Sequence, residues 1–384
     1  MRICAIICEF NPFHNGHKYL LDKAKELTGA DAILCIMSGS FTQRGEMCVL
    51  DKYVRARHAI LGGADCVIQL PAPFAVAPAE IFAKGAIKIL SAIPEVTAIA
   101  FGCESGTAQD FVNAANMVMT ENSVFKDILQ RMLAEGESFI KSYTAAFEAC
   151  GGNSDILSRP NNVLGFEYTK SILRFQANIG ILPITRVGAE YNDPVLKNNF
   201  SSATAIRKNL RNENVRFNLP DFVYPDLQDC TDDSSEFESM MRFSLFTSKH
   251  ADLSAVYGCS EGLENKLKAL ENEKYSDIIE KSTSKRYTSA RIRRILCANM
   301  LGLHKDEIEK FFKASLYVRP LAVRSERANE MLSALASSVY PIVTKPISNN
   351  LSYEAKDCFE KDLFEYAAYN HINHTNNKDY TIIV

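Results

Sequence analysis

The sequence predicts an α/β fold in which helices cover a parallel sheet, followed by a mainly α-helical second part. Short apolar runs rich in β-branched residues alternate with stretches whose apolar residues recur at helical spacing. Strands that alternate with helices are typical of right-handed βαβ units, whose sheet is buried on both faces. Beyond residue 219 helical patterns dominate. These observations predict two domains, at residues 1–218 and 219–384.

The first strand and the first helix are predicted on either side of a polar turn. Residues 3–7 form an apolar run that suits a buried strand, and residues 18–27 carry apolar side chains at helical spacing. The turn between them, residues 8–17, has the sequence CEFNPFHNGH. Its Asn-Pro pair ends the strand, because a residue before proline avoids the α region, and its glycine lets the backbone approach a ligand closely.

This turn predicts a site for the phosphates of a nucleotide. The unpaired N–H groups at the start of a helix favour an anion, and His14 and His17 add imidazole donors beside Gly16. The alternative is an ordinary helix start with two solvated histidines. The strand before the turn and the helix after it favour nucleotide binding.

Four further strands are predicted in the first domain. They lie at residues 32–37, 65–71, 96–101 and 184–187, with helices at 51–61 and 79–92 and a helical insertion at about 107–150. The carboxyl ends of parallel strands meet at one edge of the sheet, where ligands collect. The loops at 14–17, 38–44 and 102–106 each follow a predicted strand, so we expect them to converge on one site.

The second domain is predicted to consist mainly of helices. Pro220, Pro225 and the acidic stretch 226–236 indicate a linker before it. Helices are then predicted at residues 238–247, 260–270, 275–280, 289–300 and 305–312.

The composition limits the partners and the location. With 47% hydrophobic and 23% charged residues, the chain has the makeup of a soluble globular protein. Since no apolar run approaches the roughly 20 residues that cross a bilayer, and no signal sequence is visible, we expect a cytoplasmic protein without a membrane partner. The eleven cysteines are expected to be reduced thiols, and no Cys or His spacing indicates a metal site.

Positive groups for a bound ATP can be named from the sequence. An anionic nucleophile that approaches the α-phosphorus is repelled unless cationic groups and N–H donors offset the charge. Arg186 follows the strand at 184–187, and Arg207 lies about one turn into a helix that begins near Ser201 and Ser202. We expect both arginines to join His14 and His17 at the phosphates, with Mg²⁺ carried by ATP. The alternative for each arginine is an ordinary surface position.

A second group of basic residues surrounds an aromatic one. Lys281, Lys285, Arg286, Arg291, Arg293 and Arg294 flank Tyr287 where a helix is predicted to start. Basic side chains interleaved with an aromatic suit RNA, and a solvated helix face is the alternative. Together with Arg44, Lys52 and Arg55 of the first domain, residues Lys285, Arg286, Arg291 and Arg294 are predicted to bind RNA.

Several motifs resemble those of known families. The HNGH of residues 14–17 and the SSATAIR of residues 201–207 resemble the H-x-G-H and I-S-S-T-x-I-R signatures of a nucleotidyltransferase superfamily. More narrowly, EFNPFHNGH at 9–17, MSG at 37–39, QRGE at 43–46, FGCE at 101–104, PNN at 160–162 and KRYT at 285–288 resemble the bacterial tRNA(Met) cytidine acetate ligase family. Cys103 stands where that family more often has serine, and Ala203 where the superfamily signature has its second serine.

The resemblance implies a Rossmann-like nucleotidyltransferase domain and an ATP-dependent ligase. Such an enzyme activates acetate as acetyl-adenylate, releases pyrophosphate, and acetylates N4 of the wobble cytidine, position 34, in elongator tRNA(Met). By motif, the ATP contacts fall on Ile7, Cys8, Glu9, Phe10, Asn11, Pro12, Phe13, His14, Asn15, Gly16, His17, Gly102, Asn162 and Arg186. His14, His17 and Arg207 take the catalytic roles.

Two other functions stay open from the residues alone. One is a small-molecule adenylyltransferase of the same fold, which leaves the helical second domain and its basic entry without a role. The other is a non-catalytic RNA-binding protein that holds ATP as a structural ligand. The sequence names no proton acceptor for acetyl transfer, no oligomeric state, and no role for residues 201–204.

Overall fold

Seven strands in the described part of the chain form one sheet, in the order β5-β4-β1-β2-β3-β6-β7. The structure is a computed structural model and describes residues 1–120, 123–137, 139–187, 196, 199–228, 230 and 234–384. The strands are β1 (Ile3–Cys8), β2 (Ala32–Ser38), β3 (Cys66–Leu70), β4 (Val96–Cys103), β5 (Gly180–Thr185), β6 (Pro320–Val323) and β7 (Ile382–Ile383). Only the β3–β6 pair is antiparallel among these described strands.

Helices cover both faces of this sheet. They are α1 (Asn15–Thr28), α2 (Lys52–Leu61), α3 (Ala72–Ala75), α4 (Ala79–Leu90), α5 (Ala108–Thr120), α6 (Ser123–Ala134), α7 (Phe139–Ala149), α8 (Asp155–Ser158), α9 (Pro160–Phe175), α10 (Ala203–Lys208), α11 (Tyr224–Gln228), α12 (Ser234–Thr247), α13 (His250–Ala255), α14 (Leu263–Ala269), α15 (Tyr275–Ser282), α16 (Ser289–Met300), α17 (Lys305–Lys313), α18 (Ala328–Ala336) and α19 (Tyr353–Ile372). None of these described helices is long and apolar enough to cross a bilayer.

Side chains of successive strand residues enter two different cores. On β1, Cys4 and Ile6 belong to the core that includes α1, α2 and α16, whereas Ile3 and Ala5 belong to the core that includes α4, α9 and α19. This alternation follows from the two-residue period of a strand. The sheet is therefore buried on both faces, as the continuous apolar runs predict.

The strand order places a crevice beside β1. The chain runs from β1 to β2 and β3 on one side, and β4 and β5 lie on the other side. The register aligns Cys8 with Met37 and Cys103 with Thr185, so the strands end at one edge. Ligands of open parallel sheets bind where the strand order reverses in this way, which here is between β1 and β4.

The predicted α/β fold, with its helical insertion, is confirmed, and the predictions for the end of the sheet are wrong. The fifth strand lies at Gly180–Thr185 rather than 184–187, and it is followed by β6 and β7. Helix α19 is also missing from the prediction, because Asp362 and Glu365 interrupt the apolar residues of its buried face. Strands β6 and β7 come from the predicted second domain but join the sheet of the first. The division into two domains at residue 218 stays a prediction. The predicted linker at 226–236 lies partly outside the described residues.

Candidate active site

A cleft opens at the carboxyl ends of β1, β4 and β5, where the sequence predicts the loops to converge. Its walls include the turn after β1, the loop after β2, the end of β4 and the start of α10. The lining residues are Ile7, Cys8, Glu9, Phe10, Asn11, His14, Gly16, His17, Tyr19, Leu20, Thr42, Gln43, Arg44, Glu46, Phe82, Phe101, Gly102, Asn161, Leu164, Tyr168, Ile184, Thr185, Arg186, Val187, Ser202, Ala203, Thr204 and Arg207.

The two histidines form a stacked pair at the start of α1. His14 is the N-cap residue, and its Nδ1 accepts a hydrogen bond from the Gly16 N–H at 3.1 Å. The His17 Nδ1 in turn accepts from the His14 N–H at 3.3 Å. The ring centroids lie 3.7 Å apart. Because a neutral imidazole carries one N–H and both Nδ1 atoms accept, each ring carries its proton on Nε2.

Both histidines are held in the neutral form. Burial, together with the positive charges of Arg186 and Arg207, lowers the pKa of His14 to about 3. Burial, His14 and Arg186 lower the pKa of His17 well below its usual value. Gly16 permits this arrangement, because a Cβ at that position would lie 3.0 Å from the His14 ring. The turn thus presents two neutral N–H donors, which is suitable for a polyanionic ligand.

Two arginines border the same cleft. On α10, whose N-cap Ser202 accepts from the Ala205 N–H at 3.0 Å, Arg207 donates to the Asn11 carbonyl at 2.7 Å and to Glu46 Oε2 at 3.0 Å. Arg186 follows β5, and its backbone N–H donates to the Cys103 carbonyl at 3.0 Å.

Gly102, near the end of β4, leaves room for the side chain of Arg186. A Cβ on Gly102 would lie 3.3 Å from Arg186 Cγ, so the glycine leaves room for the arginine stem. His14, His17, Gly102, Arg186 and Arg207 are therefore neighbours around one cavity, which the sequence predicts from four separate segments.

The predicted ATP contact of Asn162 requires a correction, because this side chain is buried and does not line the cleft. Its Oδ1 accepts from the Glu104 N–H at 2.9 Å, and its Nδ2 donates to Ser105 Oγ and to the Asp155 carbonyl, both at 3.1 Å. The side chain is fully buried. Asn162 therefore holds the turn after β4, and the neighbouring Asn161 is the residue on the cleft wall.

Three residues of the β1–α1 turn shape the cleft without lining it. Phe13 is buried against Phe10 and His17, and Pro12 is also buried. Asn15 Nδ2 donates to the carbonyls of Asn199 and Phe217, each at 3.0 Å. Two of these side chains thus pack inside the turn and the third ties it to the segments before and after α10, and their direct ATP contacts stay a prediction.

Cys8 lines the cleft but is unsuited to nucleophilic attack. Its thiol faces the Ile36 carbonyl at 3.6 Å, and burial raises its pKa well above the usual value. A thiol is a poor nucleophile when it is not ionised. Within the described residues all eleven cysteines are free thiols.

Two carboxylates that sequence reasoning did not place in catalysis line the cleft within the described residues. Glu9 Oε1 accepts from the Gln43 N–H at 2.7 Å, and burial raises its pKa. Glu46 is ion-paired with Arg207 at 3.0 Å. The signal for Glu46 was present in the QRGE sequence, which follows a strand that ends at the same edge.

The loop after β2 also contacts α16 of the second part of the chain. Arg294 donates to the Gln43 carbonyl at 3.2 Å, and Arg293 Nε lies 3.9 Å from Glu46 Oε1. Gly45 has φ +69°, and a Cβ there would lie 2.5 Å from the Arg294 backbone. Only glycine fits both this conformation and this close approach. The predicted RNA-binding helix therefore borders the cleft.

Of the predicted RNA contacts, those around Tyr287 lie partly on the surface. Lys285 and Arg286 are exposed, and Arg286 pairs with Glu261 at 2.7 Å. Arg291 lies over the Tyr287 ring at 4.7 Å and donates to the Gly258 carbonyl, so part of its donor capacity stabilises the neighbouring turn. Arg44 lines the cleft.

Lys52 and Arg55 require a correction, because both side chains are completely buried. Lys52 Nζ pairs with Asp379 at 3.0 Å and donates to Gln69 at 3.1 Å. Arg55 donates to the carbonyls of Leu50 at 3.0 Å and Glu9 at 2.6 Å. These two basic residues stabilise the interior and cannot reach RNA.

The described residues contain no group of three or more His, Cys, Asp and Glu side chains that could hold a metal ion. Glu9 and Glu46 alone do not form a metal site of their own. An Mg²⁺ ion carried by a nucleotide thus stays a prediction from the sequence.

Comparison with known proteins identifies the family. The family model described as HIGH Nucleotidyl Transferase matches residues 1–381. A tRNA(Met) cytidine acetate ligase of Thermoanaerobacter sp. (strain X514) is 36% identical over 95% of this chain and 94% of that protein, and one of Clostridium botulinum (strain Langeland) is 35% identical over 93% of each.

Solved structures agree over the whole length. The crystal structure of Thermotoga maritima TmcAL in the apo form has a TM-score of 0.89 and 30% identity, covering 100% of both chains. The same protein bound with alpha-thio ATP has a TM-score of 0.86 and 28% identity. The chain belongs to the HIGH nucleotidyl transferase family and, within it, to the tRNA(Met) cytidine acetate ligases, a family of enzymes.

Proposed function

We propose that this enzyme activates acetate with ATP as acetyl-adenylate, releases pyrophosphate, and acetylates N4 of the wobble cytidine, position 34, of elongator tRNA(Met). The observation that carries the proposal is the convergence of two neutral imidazole donors and two arginines on one cleft, at the start of a helix. Two further findings support the proposal: relatives that match over most of the chain are named tRNA(Met) cytidine acetate ligase, and the Thermotoga maritima relative was crystallised with alpha-thio ATP.

The phosphates of ATP would lie against the start of α1. The Nε2–H groups of His14 and His17 are donors, so neither needs to lose a proton, and the start of α1 adds the positive end of a helix dipole. The Nδ2 of Asn11 adds a buried donor that has no partner among the described residues. Arg186 and Arg207 supply full positive charge beside these dipoles.

The first step requires orientation and charge neutralisation but no general base. Acetate is ionised at neutral pH, since its carboxyl resembles those of Asp and Glu. One acetate oxygen attacks the α-phosphorus. The bond from the α-phosphorus to the oxygen that bridges it to the β-phosphorus breaks, and pyrophosphate leaves with that oxygen. Charge that develops on the phosphate oxygens is stabilised by the histidine donors and the arginines.

The tRNA would approach from the side of α16. Lys285 and Arg286 are exposed at the start of this helix, and Arg294 on the same helix contacts the loop that lines the cleft. Exposed cationic side chains attract the RNA backbone. An anticodon loop bound there would bring the first base of the anticodon, at position 34, towards the cleft wall formed by residues 42–46.

The test is exchange of labelled pyrophosphate into ATP, with and without acetate, followed by transfer of labelled acetate to elongator tRNA(Met). We expect exchange to depend on acetate and label to appear on the tRNA. The matched control is the same tRNA with uridine at position 34, which offers no N4 amine. Exchange that ignores acetate, or equal labelling of both tRNAs, would contradict the proposal.

A further inference from the structure

The acetyl-transfer step of the proposed function needs a proton acceptor. When the cytosine N4 lone pair attacks the acetyl carbon of acetyl-adenylate, an N–C bond forms and the bond from that carbon to the AMP phosphate oxygen breaks. AMP leaves with the bonding electron pair, and the amine must give up one proton for the product to be a neutral amide. Cytosine N4 is a weak nucleophile, so a positioned base speeds this step.

We propose that Glu9 is this proton acceptor, because its carboxylate is held on the cleft wall at the boundary with the α16 side. Its Oε1 accepts from the Gln43 N–H at 2.7 Å. Its own carbonyl accepts from Arg55 Nη1 at 2.6 Å, which fixes the backbone. Gln43 is also the residue whose carbonyl accepts from Arg294 of α16. The assignment rests on the proposed function.

The other carboxylate on the described cleft wall is less suitable. Glu46 Oε2 accepts a hydrogen bond from Arg207 Nη2 at 3.0 Å, and Glu46 Oε1 lies 3.9 Å from Arg293 Nε. Both carboxylate oxygens of Glu46 are therefore engaged with arginine side chains. The two histidines are excluded for a different reason, because their unprotonated Nδ1 atoms already accept backbone N–H groups.

The surroundings of Glu9 favour proton uptake. Burial is the largest influence and raises its pKa, and the negative charge of Glu46 acts in the same direction. The Gln43 N–H, Arg207 and Arg44 act in the opposite direction without cancelling these effects. The charged or titratable groups around it are Arg44, Glu46, Arg55 and Arg207, with the thiols of Cys8 and Cys48. A carboxylate with a raised pKa is a better base than one in water.

The test separates the two half-reactions in the full-length enzyme. Glu9→Gln keeps the acceptor for the Gln43 N–H but cannot take up a proton. We expect single-turnover transfer from synthetic acetyl-adenylate to elongator tRNA(Met) to fall by about 10²- to 10⁴-fold, and by at least about tenfold more than acetate-dependent pyrophosphate exchange falls in the same variant. Glu9→Asp, which retains a carboxylate, should restore part of the transfer rate.

The pH profile of transfer gives a second readout. In the wild type the rate should fall as the pH drops through the pKa of Glu9, and this acidic limb should be absent in Glu9→Gln. Transfer at the wild-type rate in Glu9→Gln would overturn the assignment, as would an equal loss of exchange and transfer. A selective loss of transfer in Glu46→Gln instead would assign the base to Glu46. If the wild type shows no acetate-dependent exchange, the proposed function itself fails.

Discussion

Replacing Asn162 by alanine distinguishes a structural role from the direct ATP contact that its motif implies. The side chain makes three hydrogen bonds, to the Glu104 N–H, Ser105 Oγ and the Asp155 carbonyl. At about 1 kcal/mol for each bond, Asn162→Ala should lower the free energy of unfolding by about 3 kcal/mol. With roughly 2 °C per kcal/mol for a long chain, Tm should fall by about 6 °C.

Asn161→Ala is the matched control for this change. Asn161 lies on the cleft wall and its side chain makes one described hydrogen bond, from Nδ2 to Glu104 at 2.6 Å. We expect it to lose at most about 1 kcal/mol. Both variants are compared by thermal unfolding without ligand and by the KM for ATP in the exchange assay. An unchanged Tm for Asn162→Ala, together with a raised KM for ATP, would refute the structural role.

Three further predictions concern the histidines and the basic surface. His17→Ala removes one imidazole donor, and we expect acetate-dependent exchange to fall by about 10²- to 10³-fold; near-normal exchange in a folded variant would show that the phosphates bind elsewhere. The pKa of His14 is lowered to about 3 in the folded state against about 6.5 in an unfolded chain, so the folded state binds fewer protons between these values. The free energy of unfolding should therefore fall as the pH drops from about 6.5 towards 3, by up to about 1.4 kcal/mol per pH unit, and urea titrations of His14→Gln should show a shallower decline. Lys285→Glu combined with Arg286→Glu should weaken elongator tRNA(Met) binding at fixed salt and leave exchange unchanged. Lys310→Glu combined with Lys356→Glu makes the same change in net charge at exposed positions on α17 and α19 and is the control for overall charge. Equal weakening of tRNA binding in both double variants would mean that the region around Tyr287 is an ordinary solvated surface.

The part of the fold that could be predicted has a regular apolar pattern. Strands β1 to β4 are continuous apolar runs, and the helices between them carry apolar residues at helical spacing. The prediction failed where burial depends on partners distant in the chain. Strand β6 has four residues and pairs antiparallel with β3, some 250 positions earlier. Helix α19 buries Asp362, whose carboxylate accepts from the Ala72 N–H and the Tyr317 hydroxyl, so a charged residue interrupts the apolar pattern of its buried face.

For the site, the sequence predicts the positions of the motif residues better than it predicts their roles. All five predicted residues border the cleft, because the ends of β1, β4 and β5 and the short helix α10 meet at one edge of the sheet; they are His14, His17, Gly102, Arg186 and Arg207. Asn162 stands beside the residue that lines the cleft, and a helix exposes only one of two successive positions to a given wall. Lys52 and Arg55 were predicted from charge alone, and charge does not tell whether carbonyls and carboxylates surround a side chain in the interior.

The loop at residues 39–46 shows why sequence order could not reveal the relation between the cleft and α16. Four side chains from distant positions hold it: Arg55 donates to the Gly39 carbonyl, Glu365 accepts from the N–H groups of Ser40 and Phe41, Arg294 donates to the Gln43 carbonyl, and Arg207 pairs with Glu46. The same loop presents the Gln43 N–H to Glu9. A displacement of any one anchor would move this N–H relative to the β1–α1 turn. The position of the Glu9 carboxylate therefore depends on the packing of α2, α10, α16 and α19 together.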